Sequence, residues 1–458
     1  MKKQTGKRIA AVVLLMLLLL LTACGAGKDM EKTSSIWYFG DTESEDPLRI
    51  CMDIHAVYSL DSAADYQAAE KAMNELLSVL RTELDTQEIV IEFIPNGMTE
   101  DGADTTRAAA ISRLRVEMLA GEGPDVFISR YMRSSSAELG TDSEYVLINS
   151  PLKAMESGSF LPLDDYIANH AKRAEWESFP KAIMDAGKND EGQQIIPVSY
   201  TLPVIIYPKE EFDYTPDREL FWNDLLTDPA LKPYAAELAD CRDYFDLNGE
   251  THYSFPDHLD FVLGELADYK AETPLFSEEE LLQRVAEIMS MNPTETPSNA
   301  QVCMLGVKPR SYYSYPITLL PLYSDNGGVT ARIESYAAVN RNTTKPDEAF
   351  AVIDTLLSTD VQQNYKIYSE YLCYESFESY GGFPMYDTLK NVKTSMDMYA
   401  NKENFDEFCE LRGQITHANF GAQEVELLYM LPKCDAFPEQ TEALVHEAYT
   451  DFERRVRE

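Results

Sequence analysis

The sequence predicts an α/β protein in which a largely parallel sheet is flanked by helices and the C-terminal part is helical. Three observations carry this expectation. Apolar strand-like and helical runs alternate between Leu48 and Ile128, a second set of short branched runs lies between Ile195 and Pro321, and helical periodicity dominates after Pro346.

The elements follow in order. Leu48-Arg49-Ile50-Cys51-Met52-Asp53-Ile54 is a short apolar run of strand character, and Ala68, Ala69, Ala72, Met73, Leu76, Leu77 and Leu80 then recur at helical spacing. Ile89 to Ile94 is rich in branched residues and ends at Pro95-Asn96-Gly97, the signature of a strand and its turn. Ala108 to Leu119 reads as a helix with Ile111, Leu114, Arg115 and Met118 on one stripe. Gly121-Glu122-Gly123-Pro124 stops it, since glycine permits a left-handed C-cap and proline forbids continuation, and Asp125 to Ile128 starts a strand at once. Two strands are expected at Ile195–Val198 and Val204–Tyr207, separated by Ser199 to Pro203. Helices are expected near His258 to Tyr269 and Glu278 to Met291, strands at Val302–Gly306 and Ile317–Pro321, and helices from Pro346 to Leu357 and Asp360 to Tyr371. The chain from Met385 onward reads as almost wholly helical. No internal repeat of 20 to 50 residues is present.

The 458 residues suffice for about three domains or two large ones, and a hydrophobic content of 45% excludes a disordered chain. The formal charge is −39, and loss of the four cations of residues 1–23 takes it to −43. A surface of that sign repels phosphate backbones, so no nucleic-acid partner is expected. Apart from Cys24, the six cysteines Cys51, Cys241, Cys303, Cys373, Cys409 and Cys434 are far apart and contain no C-x-x-C pair. Cys51 and Cys303 fall inside apolar runs, where a free buried thiol behaves as a small hydrophobe.

At the N-terminus, Lys2, Lys3, Lys7 and Arg8 precede an apolar run from Ile9 to Leu21, the pattern of a secretory signal and too short to span a bilayer comfortably, which takes about 20 apolar residues. Leu21-Thr22-Ala23-Cys24 resembles the lipobox of bacterial lipoproteins. The resemblance implies a signal peptide over residues 1–23, a lipidated Cys24 as first mature residue, and anchoring at the extracytoplasmic face of the cell membrane, with more than one acyl chain giving a durable tether. Residues 24–47 carry Gly, Ser, Thr, Glu and Asp with little periodicity apart from Trp37-Tyr38-Phe39, and read as a flexible tether.

Four local patterns occur in one order: Leu119 to Phe127, containing Gly-Glu-Gly-Pro-Asp; Gly158-Ser159-Phe160-Leu161-Pro162-Leu163-Asp164-Asp165-Tyr166; Asn189 through Tyr207-Pro208-Lys209 to Trp222-Asn223-Asp224-Leu225-Leu226; and Ala337-Ala338-Val339-Asn340 followed by Lys345-Pro346-Asp347-Glu348-Ala349-Phe350. Together they resemble the family-1 extracellular solute-binding proteins, receptors of ABC importers to which maltose-binding protein is similar; Pro208 stands where that family usually has Asn. The resemblance implies a two-lobed, periplasmic-binding-protein-like fold of type II, with 48–199 and 324–375 as lobe 1 and 200–323 and 376–458 as lobe 2. It implies a ligand cleft where the chain crosses between lobes, closed by a hinge, with ABC permease subunits as partners of a monomeric receptor.

Ligands of open α/β sheets favour the carboxyl ends of strands. The expected contacts are therefore Ser129, Arg130 and Tyr131 after the strand at Asp125, His55 and Tyr58 after the first strand, the hinge-proximal Tyr200 and Thr201, and Arg310, Tyr312 and Tyr313 after the strand at Met304. Tyrosine combines an apolar face with a hydroxyl, which suits sugars, whereas Arg130 or Arg310 suits a carboxylate or phosphate. A carbohydrate comes first and another small polar solute second. No H-E-x-x-H, G-x-S-x-G or G-x-x-x-x-G-K-[ST] motif is present, so no catalytic residue, metal or cofactor is expected. A sensor or interaction module of the same fold, or a lipid-anchored glycan-acting enzyme in which Asp164 and Asp165 work as paired carboxylates, are the alternatives.

Overall fold

In the computed structural model the described residues are 36–53, 62–95, 107–130, 147–148, 150–240, 265–291, 300–305, 315–362, 383–385, 410–420 and 425–457. Three parallel strands, β2 (Leu48–Asp53), β3 (Ile89–Phe93) and β4 (Val126–Arg130), run side by side with β2 in the middle. Helix α1 (Ala63–Leu84) joins β2 to β3. Ser62 caps it by accepting from Asp65 N–H at 3.2 Å, and the apolar stripe read from the sequence, Ala69 to Leu80, is the face it buries. Helix α2 (Arg107–Leu119) ends as expected: Gly121 has φ +80°, Gly121 N–H reaches Met118 O at 3.0 Å and Glu122 N–H reaches Glu117 O at 2.9 Å.

The tether expected over residues 24–47 is corrected in its second half. Strand β1 (Trp37–Gly40) pairs antiparallel with β3, Trp37 opposite Phe93 and Phe39 opposite Ile91. Alternation explains it: Trp37 and Phe39 are each 4% exposed, and Trp37 stacks on Phe93 with centroids 5.8 Å apart. Two aromatic rings on one face of an edge strand outweigh the polar composition around them.

After two short strands, β5 (Lys188–Asn189) and β6 (Gly192–Gln193), comes β7 (Ile195–Pro208). Two strands were expected here, but one continuous strand of 14 residues is found, buried throughout. Pro203 lies inside it because the strand changes neighbours there. Residues 195–201 pair with β12 (Val329–Val339), and residues 202–208 pair with β10 (Gln301–Leu305) and β11 (Ile317–Pro321). Ahead of these, β8 (Ala267–Asp268) and β9 (Thr273–Pro274) form a hairpin, so the helix expected to reach Tyr269 does not extend over Ala267–Asp268; the rest of that expectation, from His258 to Gly264, lies outside the described residues.

The main sheet runs β1-β3-β2-β4-β12-β7-β10 and is mixed rather than mostly parallel. Strand β12 lies antiparallel to both β4 and β7. The largely helical expectation after Met385 is corrected at β14 (Ile415–Asn419), which pairs parallel with β12; the short β13 (Phe383–Pro384), just ahead of that stretch, pairs with β7. Beyond residue 425 the expectation is met by α5 (Val425–Ala436) and α6 (Thr441–Arg457), and the earlier helices α3 (Glu278–Ser290) and α4 (Pro346–Leu356) fall where periodicity placed them.

The fold is two-lobed, with one hydrophobic core per lobe. The first gathers Ile36 to Val204, Val329 to Val361 and Phe420; the second gathers Tyr207, Trp222, Leu281, Leu320 to Tyr323, Leu427 and Val445 to Val456. From Val204 onward, successive side chains of β7 feed the two cores in alternation, Val204 and Ile206 the first, Ile205 and Tyr207 the second. The chain passes between cores again between Tyr323 and Val329 and between Phe420 and Leu427. Cys51 and Cys434 are free and buried, and burial raises both thiols above their ordinary pKa. Among the described residues no helix is long and apolar enough to cross a membrane.

Candidate functional site

The patterns that were most legible in the sequence turn out to be clasps. Asp125 accepts from Arg49 N–H at 2.9 Å and from the Thr343 hydroxyl at 2.5 Å, while Asn340 donates its side-chain amide to Pro124 O at 2.9 Å. The Gly-Pro-Asp turn and the Val339-Asn340 strand end thereby hold each other. Similarly, Leu163 N–H donates to Gln193 O at 2.7 Å and Asp164 accepts from Gln193 N–H at 2.6 Å, locking the Pro-Leu-Asp-Asp turn onto the β5–β6 hairpin. Asp164 is thus an anchoring carboxylate. These clasps sit at the amino end of β4 and the carboxyl end of β12, away from the crossing.

At the other end of those strands the sheet becomes polar. Strands β4, β12 and β7 lie side by side, with Arg130 opposite Ser335 and Ser335 opposite Ser199. The Ser199 and Ser335 hydroxyl oxygens are 2.5 Å apart. The register of β12 on β7 slips on both sides of Ser335, and the Glu334 carboxylate there accepts from the Thr201 hydroxyl at 2.7 Å and faces the Arg130 guanidinium at 3.9 Å. Arg332 stands opposite Thr201. On Tyr200, opposite Ile333, the hydroxyl accepts from Arg412 Nε, and the Arg412 guanidinium lies 5.8 Å from the ring centroid. Burial pushes the neighbouring Tyr336 phenol well above its usual pKa, so it stays protonated at every physiological pH.

Of the expected contacts, Ser129, Arg130, Tyr200 and Thr201 are all nine-tenths or more buried, but they fall on two faces of the sheet: Arg130 and Thr201 both meet Glu334, whereas Ser129 and Tyr200, one residue along each strand, point to the opposite face. Tyr200 is fully buried and its ring is packed rather than open. Tyr131, His55, Tyr58, Arg310, Tyr312, Tyr313 and the lipidation candidate Cys24 lie outside the described residues. Sequence reasoning missed Arg332, Glu334 and Arg412. For the first two a signal existed: opposite charges two residues apart within the otherwise small and apolar run Ala331 to Val339. Arg412 carries no such signal, because it reaches Tyr200 from 212 positions away.

A cavity of about 550 Å³ lies between Tyr214 to Leu220, β11, the start of β12 and the segment Glu410 to Thr416, and none of the row residues lines it. Its wall includes Leu411 and Val329 of the first core and Leu220, Leu320 and Tyr323 of the second. Two further contacts bridge the cores. Lys153 donates to Arg455 O at 3.0 Å and Val456 O at 3.4 Å, and Lys270 pairs with Asp190, which holds that carboxyl below its ordinary pKa. Among the described residues no cluster of three or more His, Cys, Asp or Glu side chains is placed to hold a metal ion.

Comparison with known proteins adds the following. A family model described as bacterial extracellular solute-binding protein matches residues 86–363, more than half of the chain. No curated protein sequence matches. Solved structures similar to it include a family 1 extracellular solute-binding protein from Alicyclobacillus acidocaldarius subsp. acidocaldarius DSM 446, at 12% identity and a TM-score of 0.50, covering 91% of this chain and 100% of that one. A periplasmic oligogalacturonide binding protein from Yersinia enterocolitica is similar at 12% identity and a TM-score of 0.50, over 90% of this chain and 99% of that one. A de novo designed cysteine esterase is similar at 12% identity and a TM-score of 0.52, over 90% and 98% of the two chains.

Proposed function

The chain belongs to the bacterial extracellular solute-binding protein family, and from that premise we propose that it captures a small polar solute, a carbohydrate or oligosaccharide first, between two lobes that close by a hinge. The observation that carries this reading is the crossing itself. Strand β7 serves both cores, and the polar row of Arg130, Thr201, Arg332 and Glu334 lies beside the point where β7 changes neighbours, with Arg412 on Tyr200 at the other face of the strand, which supports a polar ligand site at the crossing. The lobe division expected from the sequence is 48–199 with 324–375 against 200–323 with 376–458; the handover of β7 between residues 201 and 202 supports its first boundary, whereas Met385, Leu411 and Phe420 pack in the first core and move that stretch to lobe 1. The fold is shared with a protein whose name records oligogalacturonide binding, and buried arginine forks suit the hydroxyls and carboxylates of such sugars.

In this reading Cys24 is lipidated, residues 24–35 lift the body from the outer face of the membrane, and ABC permease subunits read the closed form. The ligand favours that form because only there do both lobes contact it. The family is one of binding proteins, so no chemistry on the solute is proposed. The test is a thermal-shift screen of protein lacking residues 1–24 against mono- and oligosaccharides, amino acids, short peptides and polyamines. A ligand at 100 times its Kd adds about 2.7 kcal/mol. A saturable shift with one sugar class supports the reading, and no shift with any small solute refutes it.

A further inference from the structure

We infer that Asp53 and Arg107 are a positioning pair for the solute site, tying together the carboxyl ends of the three parallel strands from which its contacts are presented. The inference rests on the reading of the crossing as that site. Both side chains are 1% exposed and they form an ion pair. Arg107 also donates to Pro95 O at 2.9 Å and Ile94 O at 3.3 Å, the residues that follow β3. The second oxygen of Asp53, the last residue of β2, accepts from Leu147 N–H at 2.8 Å. Asp53 is also the register partner of Ser129, next to Arg130 on β4. One ion pair thus reaches the ends of β2 and β3, the start of α2 and the chain where it returns after β4.

Two physical arguments say that the pair is kept for geometry rather than for stability. A buried ion pair confers little or no net stability over apolar residues of the same volume, because desolvation offsets the attraction. Moreover, Arg107 is the first residue of α2, where the helix dipole disfavours a cation. A buried arginine in an unfavourable helix position contributes direction: its planar fork fixes two carbonyls and a carboxylate at once. Asp53 and Arg107 touch no solute; they act through Ser129 and Arg130.

The experiment uses Arg107→Lys, which keeps the charge and loses the fork, with protein lacking residues 1–24. Two readouts are taken: hydrogen exchange at the Leu147 amide without added solute, and titration calorimetry with maltotriose and with trigalacturonate. The expected result is at least tenfold faster exchange at Leu147 and at least tenfold weaker binding of whichever sugar the wild type takes, while the thermal midpoint reported by Trp222 in the second core stays unchanged. A folded variant with wild-type affinity, or with wild-type exchange at Leu147, overturns the inference. Should Arg107→Lys fail to fold, Asp53→Asn, which keeps size and removes the charge that holds the Arg107 fork, is held to the affinity and thermal-midpoint criteria. Wild-type protein that binds neither sugar counts against the carbohydrate reading instead, and exchange at Leu147 then decides the pair by itself.

Discussion

Asp354 offers the sharpest test of how the first lobe is held together. Its carboxylate, on α4 and 3% exposed, faces no cation among the described residues and accepts four N–H groups: Lys172 at 2.8 Å, Arg173 at 2.9 Å, Ala174 at 3.1 Å and the Trp176 indole at 2.8 Å. A hydrogen bond to a charged group contributes about 1.5 to 3 kcal/mol, so the four sum to at least about 6 kcal/mol in isolation. They act on one short segment and are not additive, and Lys172 and Arg173 are exposed enough for water to replace the lost acceptor. Asp354→Ala is therefore expected to cost about 3 to 5 kcal/mol. Asp354→Asn keeps one oxygen but turns an amide toward two donors, and is expected to cost about 2 kcal/mol. The assay is urea unfolding followed by tryptophan fluorescence, in which Trp176 reports on its own bond. With a slope of about 1 to 3 kcal/mol per molar urea, the alanine variant moves the first-lobe midpoint by about 1 M or more. An alanine variant within about 0.5 kcal/mol of wild type would refute the reasoning, because it would mean that water satisfies the four donors as well as the carboxylate does.

Gly192 has φ +120°, and a Cβ there would lie 1.9 Å from an Asp164 carboxylate oxygen, so Gly192→Ala is expected to cost about 2 kcal/mol or more by loss of the hairpin clasp, measured by the same urea assay. Glu334→Gln leaves Thr201 an acceptor but removes the charge facing Arg130, and is expected to change sugar affinity by at least tenfold with little change in melting temperature, as read by calorimetry. The Lys270–Asp190 contact between the lobes is fully solvated. Because the folded Asp190 pKa lies below its ordinary value, its contribution is present above the ordinary carboxylate range and is lost as pH falls through the lowered value; salt screens it as well. Asp190→Asn should thus remove part of the salt dependence of lobe closure, monitored by small-angle scattering, and an unchanged salt profile counts against the contact. Cys51 and Cys434, both buried with raised thiol pKa, should resist a thiol reagent in the native protein and react on unfolding, as peptide mass mapping will show.

Much of the first lobe was legible because local rules there agree with the final packing. The stripe of α1, the stop at Gly121 and the branched runs of β2, β3 and β4 each say the same thing at the level of the residue, the element and the core. Legibility failed where a segment is defined by distant partners. Trp37 and Phe39 look like an aromatic accident in a polar stretch until β3 lies beside them. Ile195 to Pro208 reads as two strands broken at Pro203, and becomes one because β12 and then β10 and β11 supply its neighbours in turn. Ile415 to Asn419 is a strand only because β12 offers it an edge.

The sequence by itself determined the α/β class, the helix stripes, the family resemblance and the residues of the clasps, since each depends on residues close together in the chain or on turns that few residues can make. Only the tertiary structure decided that those recognisable motifs hold the scaffold while Arg130, Thr201, Arg332 and Glu334 come together on neighbouring strands and Arg412 reaches Tyr200 on the other face of β7. The reason is one of range. Turn chemistry and helical periodicity act over a few residues, whereas a polar row assembled from β4, β7 and β12, separated by up to 204 positions between Arg130 and Glu334, exists only once the cores have fixed the strands that carry it.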